Sequence, residues 1–353
     1  MLKTKYLITG GAGFIGSNMV RNLVMNHKND ILIVDKLTYS ANILNIKSSV
    51  QKKNCKLSVV DICNYNKIKN LIFSFKPNII INFAAESHVD RSIDNNFPFL
   101  RTNIIGTYNL LEAYRNLIKN KLIKKTRSLF LHVSTDEVYG DLKEKNFFTE
   151  KTKYDPSSPY SSTKAASDML VSAWSKTYKM PCIITNCSNN YGPYQHPEKL
   201  IPHMIISALQ GKNLPVYGDG KQIRDWIYVD DHIRALKIII KKGKIGEHYN
   251  IGGSNTIRNI QLIRKICNIL DFFLKKKKPE SFFKKIIFVK DRPAHDTKYA
   301  VCSEKIRKEL GWRPSTNFEH KLKSTIKWYL DNENWWKNTI NKKYKLKRIG
   351  LMK

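Results

Sequence analysis

Residues Tyr6-Leu7-Ile8-Thr9-Gly10-Gly11-Ala12-Gly13-Phe14-Ile15-Gly16 decide the fold. A short apolar run suited to a buried strand enters a glycine loop, and an apolar helical segment over 14–26 follows. Strand, glycine turn and helix in that order open a mononucleotide-binding unit. Gly10 would allow the tight turn, Gly13 would let backbone approach a pyrophosphate, and Gly16 would let helix and strand pack closely. The helix N-terminus would supply free N–H groups and partial positive charge for the phosphates. The spacing is GxxGxxG rather than GxGxxG, and glycines alone also serve ordinary turns. The context adds weight. Ile31-Leu32-Ile33-Val34-Asp35 reads as a second strand whose last residue lies 19 positions beyond Gly16. A carboxylate there can bind a ribose 2′-hydroxyl and repel a 2′-phosphate, which favours NAD over NADP. Lys36 beside it would soften that repulsion. Asp61, ending a third strand over 57–61, reads equally as a partner of the adenine amino group or as a helix N-cap.

Working outward, apolar runs at 79–83, 129–134 and 182–185 continue the strands, with helical segments such as 103–119 and 160–178 between them. Alternation of this kind implies an α/β fold, a Rossmann-type doubly wound parallel sheet covered on both faces. After about residue 186 the rhythm breaks at Pro193, Pro197, Pro202 and Pro215. The expected organisation is an NAD-binding domain over 1–186, joined by part of 223–245. A smaller, discontinuous α/β substrate domain would occupy 187–330, with a basic C-terminal tail over 331–353.

The chain of 353 residues has 62 Lys and Arg against 29 acids, a net charge of +33. The lysines are scattered and no nucleic-acid-binding motif accompanies them, so a general drift toward Lys, Asn and Ile is preferred to a nucleic-acid partner. The densest runs, Lys275 to Lys278, Lys284-Lys285 and Lys342 to Lys347, read as a solvated loop and a solvated C-terminus. No apolar run reaches the ~18 residues of a membrane span. The glycines and Asp35 make the N-terminus a strand and turn rather than an export signal. Six cysteines without a CxxC pair demand neither disulfides nor zinc. The expectation is a cytoplasmic protein with no membrane, nucleic-acid or metal partner.

Tyr160 and Lys164 stand four apart on one face of a helix, with Pro159 suited to its first turn and Ser157 or Ser158 to its cap. Lys164 can lower the tyrosine pKa and bond a nicotinamide ribose, while Tyr160 takes a proton from a sugar hydroxyl as hydride leaves the same carbon. Thr135-Asp136-Glu137 follows a core strand directly, at the carboxyl end of the sheet where such folds bind ligands. Alternating side-chain direction would put the two carboxylates in different environments, one an acid and one a base.

GGAGFIGS (10–17), STDEVYG (134–140), YSSTK (160–164) and NCSNNYGPYQHPEKLIP (186–202) together resemble the extended short-chain dehydrogenase/reductase superfamily and, within it, the dTDP-glucose 4,6-dehydratase family. AAESHVDRS (84–92), YGDGKQIRDWIYVDDH (217–232) and DRPAHD (291–296) extend the resemblance to most of the chain. The Asp136-Glu137 pair discriminates: related 4-epimerases lack it, and GDP-mannose dehydratases carry Ser-Glu.

The resemblance implies NAD-dependent dehydration of dTDP-glucose, in deoxysugar biosynthesis of the rhamnose type. Thr135, Asp136, Glu137, Tyr160 and Lys164 would be catalytic. It further implies cofactor contacts from Phe14, Ile15, Lys36, Thr38, Ile62, Ala84, Ala85, Ser87, Thr102 and Asn190. Substrate contacts would come from Ser87, His88, Thr135, Asn189, Glu198, Lys199, Leu200, Pro215, Tyr217, Arg224, Asn259, Arg292, His295 and Tyr299. Arg224 and Arg292 suit a diphosphate by their bidentate geometry. A homodimer is implied, with Tyr108, Leu111, Met169 and Trp174 as interface residues, although core packing explains them equally. UDP-glucose as substrate, an epimerase or decarboxylase on the same scaffold, and a non-catalytic basic NAD-binding protein stay open as alternatives. Ala294 departs from the family's glycine in DRPGHD, and the segment 272–285 matches nothing in it. His132 reads as a satisfied core histidine, His196 and His203 lack metal-ligand spacing, and Trp335-Trp336 reads as packing.

Overall fold

The computed structural model describes residues 3–142, 146–276, 280–314 and 317–343. Strands are numbered in chain order. Seven of them, β1 (Thr4–Thr9), β2 (Asn29–Asp35), β3 (Cys55–Val59), β4 (Ile79–Asn82), β5 (Leu129–Thr135), β6 (Cys182–Cys187) and β10 (His248–Ile251), form one sheet in the order β10-β6-β5-β4-β1-β2-β3. Every pairing in it is parallel. Its apolar strands are buried on both faces, as parallel sheets require. Ile8, Ile33, Ile81, Leu131 and Ile183 pack into one core with the helices Phe14–Leu23 and Val229–Lys242. Their neighbours Leu7, Leu32, Ile80, Phe130 and Ile184 pack into a second core with Tyr65–Phe75 and Thr107–Lys119. The doubly wound α/β fold expected from the sequence is present.

The second unit is built on β9 (Ile223–Tyr228). β11 (Thr256–Arg258) pairs with it on one edge, and β13 (Lys298–Tyr299) and β7 (Asn189–Tyr191) also pair with it. β8 (Leu214–Tyr217) and β12 (Ile286–Val289) make a separate parallel pair. A third core of Ile201, Ile205, Trp226, Leu262, Ile266 and Leu322 holds these strands against the helices Leu200–Leu209, Asn259–Phe273 and Phe318–Asp331. The chain returns to the large sheet through part of 223–245. β9 stays in the second unit, and the helix Val229–Lys242 with β10 makes the crossing. Tyr249 and Ile251 of β10 carry the apolar face that seats it there.

One local expectation is corrected. Residues 333–343 of the supposed tail form a helix, because Trp335, Trp336 and Ile340 give it an apolar face that is buried. Trp335 Nε1 donates to Asn45 Oδ1 at 2.9 Å, and Asn42 Nδ2 donates to Thr339 Oγ1 at 3.0 Å, tying that helix to the first unit. Residues 344–353 lie outside the described residues. Of the supposed solvated loop, 277–279 also lie outside them. Ser281 and Phe282 are bonded to Asp271, Phe282 is buried, and β12 follows.

Candidate active site

The glycine loop has the geometry its residues predict. Gly10 sits at φ +65°, and a Cβ there would stand 2.8 Å from the Ala84 nitrogen. A Cβ on Gly16 would overlap the Gly10 carbonyl, so only glycine lets this helix start so close to β1. Gly13 is the N-cap and offers no side chain to the helix, leaving the first amides of Phe14–Leu23 free to meet an anion. Asp35 is buried and accepts from the Ala12 amide at 2.9 Å and the Leu37 amide at 2.8 Å, so it shapes the loop as well as facing the cavity.

That cavity, about 270 Å³, is lined by Gly10, Gly13, Phe14, Ile15 and Gly16, by Asp35, Lys36 and Thr38, and by Ile62, Ala84, Ala85 and Ser87. Thr102, Tyr160, Lys164 and Asn190 complete it among the residues expected at a cofactor, and Thr135 lines it too. Thr102 reaches it from a π-helical turn, Leu100–Gly106, at the start of the helix expected over 103–119. Backbone amides, a ribose-facing carboxylate and a cradle that a Cβ would fill fit a dinucleotide with a free 2′-hydroxyl. Asp61 is not among the residues lining the cavity, and its Oδ1 accepts from the Cys63 amide at 2.9 Å in its own turn. Its reading as a helix cap is corrected, since Asn64 takes that role by accepting from Lys67 N. Lys36 lines the cavity, lies 3.5 Å from Glu86 and donates to Thr102 Oγ1 at 3.1 Å. Glu86 was missed by the sequence reading, although it stands inside the AAESHVDRS motif.

β5 delivers the acid pair. Thr135 caps a 3-10 turn, Asp136–Tyr139, with its Oγ1 accepting from Glu137 N at 3.2 Å and lying 3.3 Å from Asp136 Oδ1. The two carboxylates are therefore parted by a helical turn and not by strand alternation. Their surroundings do differ. Burial pushes Asp136 well above the usual carboxylate range, with Glu137 and Asp225 adding to it, and its Oδ2 is buried without a hydrogen-bond partner. Burial also raises Glu137, but Arg292, Lys199 and Arg224 pull it back.

The helix Pro159–Tyr178 begins with a capping box between Ser158 and Ser161, and Ser157 instead bonds Asp296. It buries Tyr160 and Lys164 in the cavity wall. Tyr160 is not acidified as expected. Burial holds its hydroxyl well above the ordinary value, Glu137 and Cys187 raise it further, and the Thr135 side chain opposes them. Lys164 instead donates to the Val133 carbonyl at 3.0 Å.

A second cavity, about 310 Å³, adjoins the first. His88, Asn189, Glu198, Lys199, Leu200, Pro215, Tyr217, Arg224, Asn259, Arg292, His295 and Tyr299 line it, and Glu137, Asn189, Glu198 and Lys199 line both cavities. Ser87 and Thr135, expected at the substrate, lie on the first cavity alone. Arg224 is held by the Asp296 carbonyl at 2.9 Å and stacks over Tyr299 at 4.3 Å. Arg292 Nη1 donates to Asp90 Oδ1 at 3.1 Å, Tyr217 donates to Asp90 Oδ2 at 3.1 Å, and Lys199 donates to the Ser87 carbonyl at 2.7 Å. Arg292 Nε, Asn189 Oδ1 and Asn259 Oδ1 are buried without partners, which fits a strongly polar ligand. Asp90, Trp226 and His203 were not foreseen. Asp90 could have been found two places after His88, whereas Trp226 and His203 carry no local signal. Ala294 lies at φ +48°, the left-handed region its family glycine would occupy without strain. His132 is buried, as a core histidine. Of the residues expected at an interface, Tyr108 and Met169 are exposed, whereas Leu111 is wholly buried in the sheet's core and Trp174 bonds Glu112.

A family model described as GDP-mannose 4,6 dehydratase matches residues 7–325. A curated dTDP-glucose 4,6-dehydratase of Neisseria meningitidis serogroup B is 49% identical over 354 residues, covering 99% of each chain. A dTDP-glucose 4,6-dehydratase of Bacillus anthracis, solved in complex with NAD, superposes with TM-score 0.84 at 43% identity over 95% of this chain and 99% of its own. A third, from Streptomyces venezuelae and solved with NAD bound, gives TM-score 0.87 at 36% identity over 95% and 100%. Likeness at this level over the full length settles the relationship: the chain belongs to the dTDP-glucose 4,6-dehydratase family.

Proposed function

We propose that the chain is an NAD-dependent dTDP-glucose 4,6-dehydratase that yields the 4-keto-6-deoxy sugar nucleotide. The observation that carries the reading is Glu137, which lines the dinucleotide cavity and the polar cavity together, beside a carboxyl whose pKa burial raises well above the usual range. Bound NAD supplies the hydride acceptor and later the hydride donor.

The protein's own groups handle the protons. Tyr160 takes the C4 hydroxyl proton as C4 becomes a ketone. That ketone acidifies C5, and Glu137, pulled toward its ionised form by Arg292, Lys199 and Arg224, removes the C5 proton. Asp136 donates to the C6 hydroxyl, which leaves as water. After hydride returns to C6, the proton held by Glu137 returns to C5. Lys164 orients the nicotinamide ribose, and Thr135 holds the sugar near O4. Asp35 selects NAD over NADP. Arg224 and Arg292 take the diphosphate, each already fixed by protein partners, so little side-chain freedom is lost on binding. An epimerase would have no use for a base at C5, which disfavours that alternative.

Residues 1–186, with the crossing helix and β10, serve as the cofactor domain, and most of 187–330 serves as the sugar-nucleotide domain. The enzyme acts in the cytoplasm as a homodimer joined through the outer helices that expose Tyr108 and Met169, in deoxysugar biosynthesis, without nucleic-acid or membrane partners. No described helix is long and apolar enough to cross a membrane. The test is incubation of purified protein with dTDP-glucose and with UDP-glucose separately. A 4-keto sugar is expected with dTDP-glucose. Turnover of UDP-glucose alone would reassign the base, and no 4-keto product from either would end the proposal.

A further inference from the structure

Behind Tyr160 and Lys164 lies a sealed polar cluster to which the reaction above gives no role. Asp168 stands one turn beyond Lys164 on the same helix and is 0% exposed. Its Oδ2 accepts from Ser134 Oγ at 2.8 Å, Tyr154 Oη at 3.0 Å and Asn186 Nδ2 at 3.3 Å. Its Oδ1 is 3.3 Å from His132 Nε2. The Lys164 ammonium lies 3.4 Å from that same ring nitrogen. A carboxylate buried this deeply persists only when paired and hydrogen-bonded. Burial works to raise its pKa, but His132, Lys164 and Ser134 outweigh it and keep the group below the usual range.

The network also fixes the histidine tautomer. Asn82 Oδ1 accepts from Thr9 Oγ1 at 2.6 Å, so its amide nitrogen faces His132 Nδ1 at 3.1 Å and donates to it. The ring proton is then on Nε2. Ser167 Oγ, 3.1 Å from Nε2, donates to the Lys164 carbonyl and so accepts from the ring. Burial and Lys164 hold the imidazole pKa down to about 4, leaving the ring neutral.

We propose that Asp168 is a positioning residue that acts on Lys164 across the neutral His132 ring, keeping the ammonium charged and aimed at the tyrosine and ribose. This rests on the assignment of Tyr160 and Lys164 made above. Burial lowers the pKa of Lys164, and Asp168 is the foremost group opposing that loss. The other titratable groups facing the cluster carry no charge to do so. The Cys187 thiol is pushed up to about 12, Tyr139 and Tyr154 are raised, and His248 of β10 is lowered, each chiefly by burial. The imidazole spacer has a consequence. A direct Asp–Lys contact would cancel the field at Tyr160 and draw Nζ from the cavity, whereas one ring between them sustains the charge and leaves Lys164 in the cavity wall.

The test is the pH profile of NADH appearance on mixing holoenzyme with dTDP-glucose. Asp168→Asn should move the alkaline limb, set by Lys164 losing its proton, down by about one pH unit or more. KM should stay near the parent value. Ser134→Ala removes one hydrogen bond but keeps the carboxylate, so its limb should stay in place. In a Lys164→Arg background, where the cation cannot titrate, that limb should be absent with or without Asp168→Asn. An unshifted limb in Asp168→Asn, or an equal shift in Ser134→Ala, would overturn the proposal. Should Asp168→Asn not fold, Asp168→Ser removes the charge while keeping a hydroxyl for the same donors, and the same two outcomes apply. A parent enzyme that forms no 4-keto sugar would sink the functional reading instead.

Discussion

The glycine loop supplies one wall of the cofactor cavity from a single stretch of chain, whereas His88, Arg224, Asn259 and Arg292 reach the neighbouring cavity from four separate segments. The first wall works through backbone: free amides, a left-handed glycine, and a carboxylate that also braces the turn. The second works through long side chains fixed by distant partners, such as Arg292 on Asp90. Backbone recognition tolerates little change in shape but needs few particular side chains. Side-chain recognition depends on packing across the whole second unit and can be altered one residue at a time. The chemistry sits where the two meet, at Tyr160, Asp136 and Glu137.

The strongest way to probe that meeting point is Tyr160→Phe. It removes the proton acceptor and keeps the ring that packs edge-on to Phe99. The first hydride step should slow by ~10²–10⁴, the usual worth of one general base. Stopped-flow absorbance should then show no transient NADH while NAD stays bound. NADH formation at the parent rate would move the base elsewhere, to Asp136 or to a water held by Thr135.

Next in size is Glu137→Gln, which should slow elimination by about 10²-fold and leave C4 oxidation intact. NADH should accumulate in this variant, and exchange of the C5 hydrogen with solvent should nearly cease. Normal C5 exchange would show that Glu137 is not the base.

A pair of variants separates the two cavities. Arg292→Ala should raise KM for dTDP-glucose ~10- to 100-fold, since a buried charge-assisted contact is worth about 1.5–3 kcal/mol. NAD occupancy should not change. Asp35→Asn should weaken NAD and narrow its margin over NADP, with KM for the sugar nucleotide steady. Crossed effects in calorimetric titrations would show that the cavities are coupled.

The smallest effect concerns stability. Asp136 has a folded-state pKa raised above its unfolded value, so the folded protein binds the proton more tightly. Its carboxyl therefore costs nothing below the unfolded pKa and destabilises progressively as pH rises toward the folded one. Asp136→Asn should accordingly raise Tm by a few degrees at about pH 8 and by much less at about pH 5, while slowing dehydration. An equal gain at both pH values would mean that titration of this carboxyl is not the cause.

The sequence by itself determined the strand–loop–helix opening, the parallel alternation, the identity of the acid pair and the Tyr160–Lys164 spacing. Each is local, set by periodicity, by glycine or by neighbours on one turn. The tertiary structure alone decided what is expressed over distance. β10 returns to the first sheet because its apolar face finds that sheet's core. The supposed tail over 333–343 docks because Trp335 meets Asn45 across nearly the whole chain. Asp61 is bonded within its own turn, and Lys36 pairs with Glu86. Above all, the unequal acidities of Asp136 and Glu137 come from burial and from Asp225, Arg224, Lys199 and Arg292, which are remote in sequence. A carboxylate's pKa depends on the solvent and charge around it, and only the folded chain brings those together.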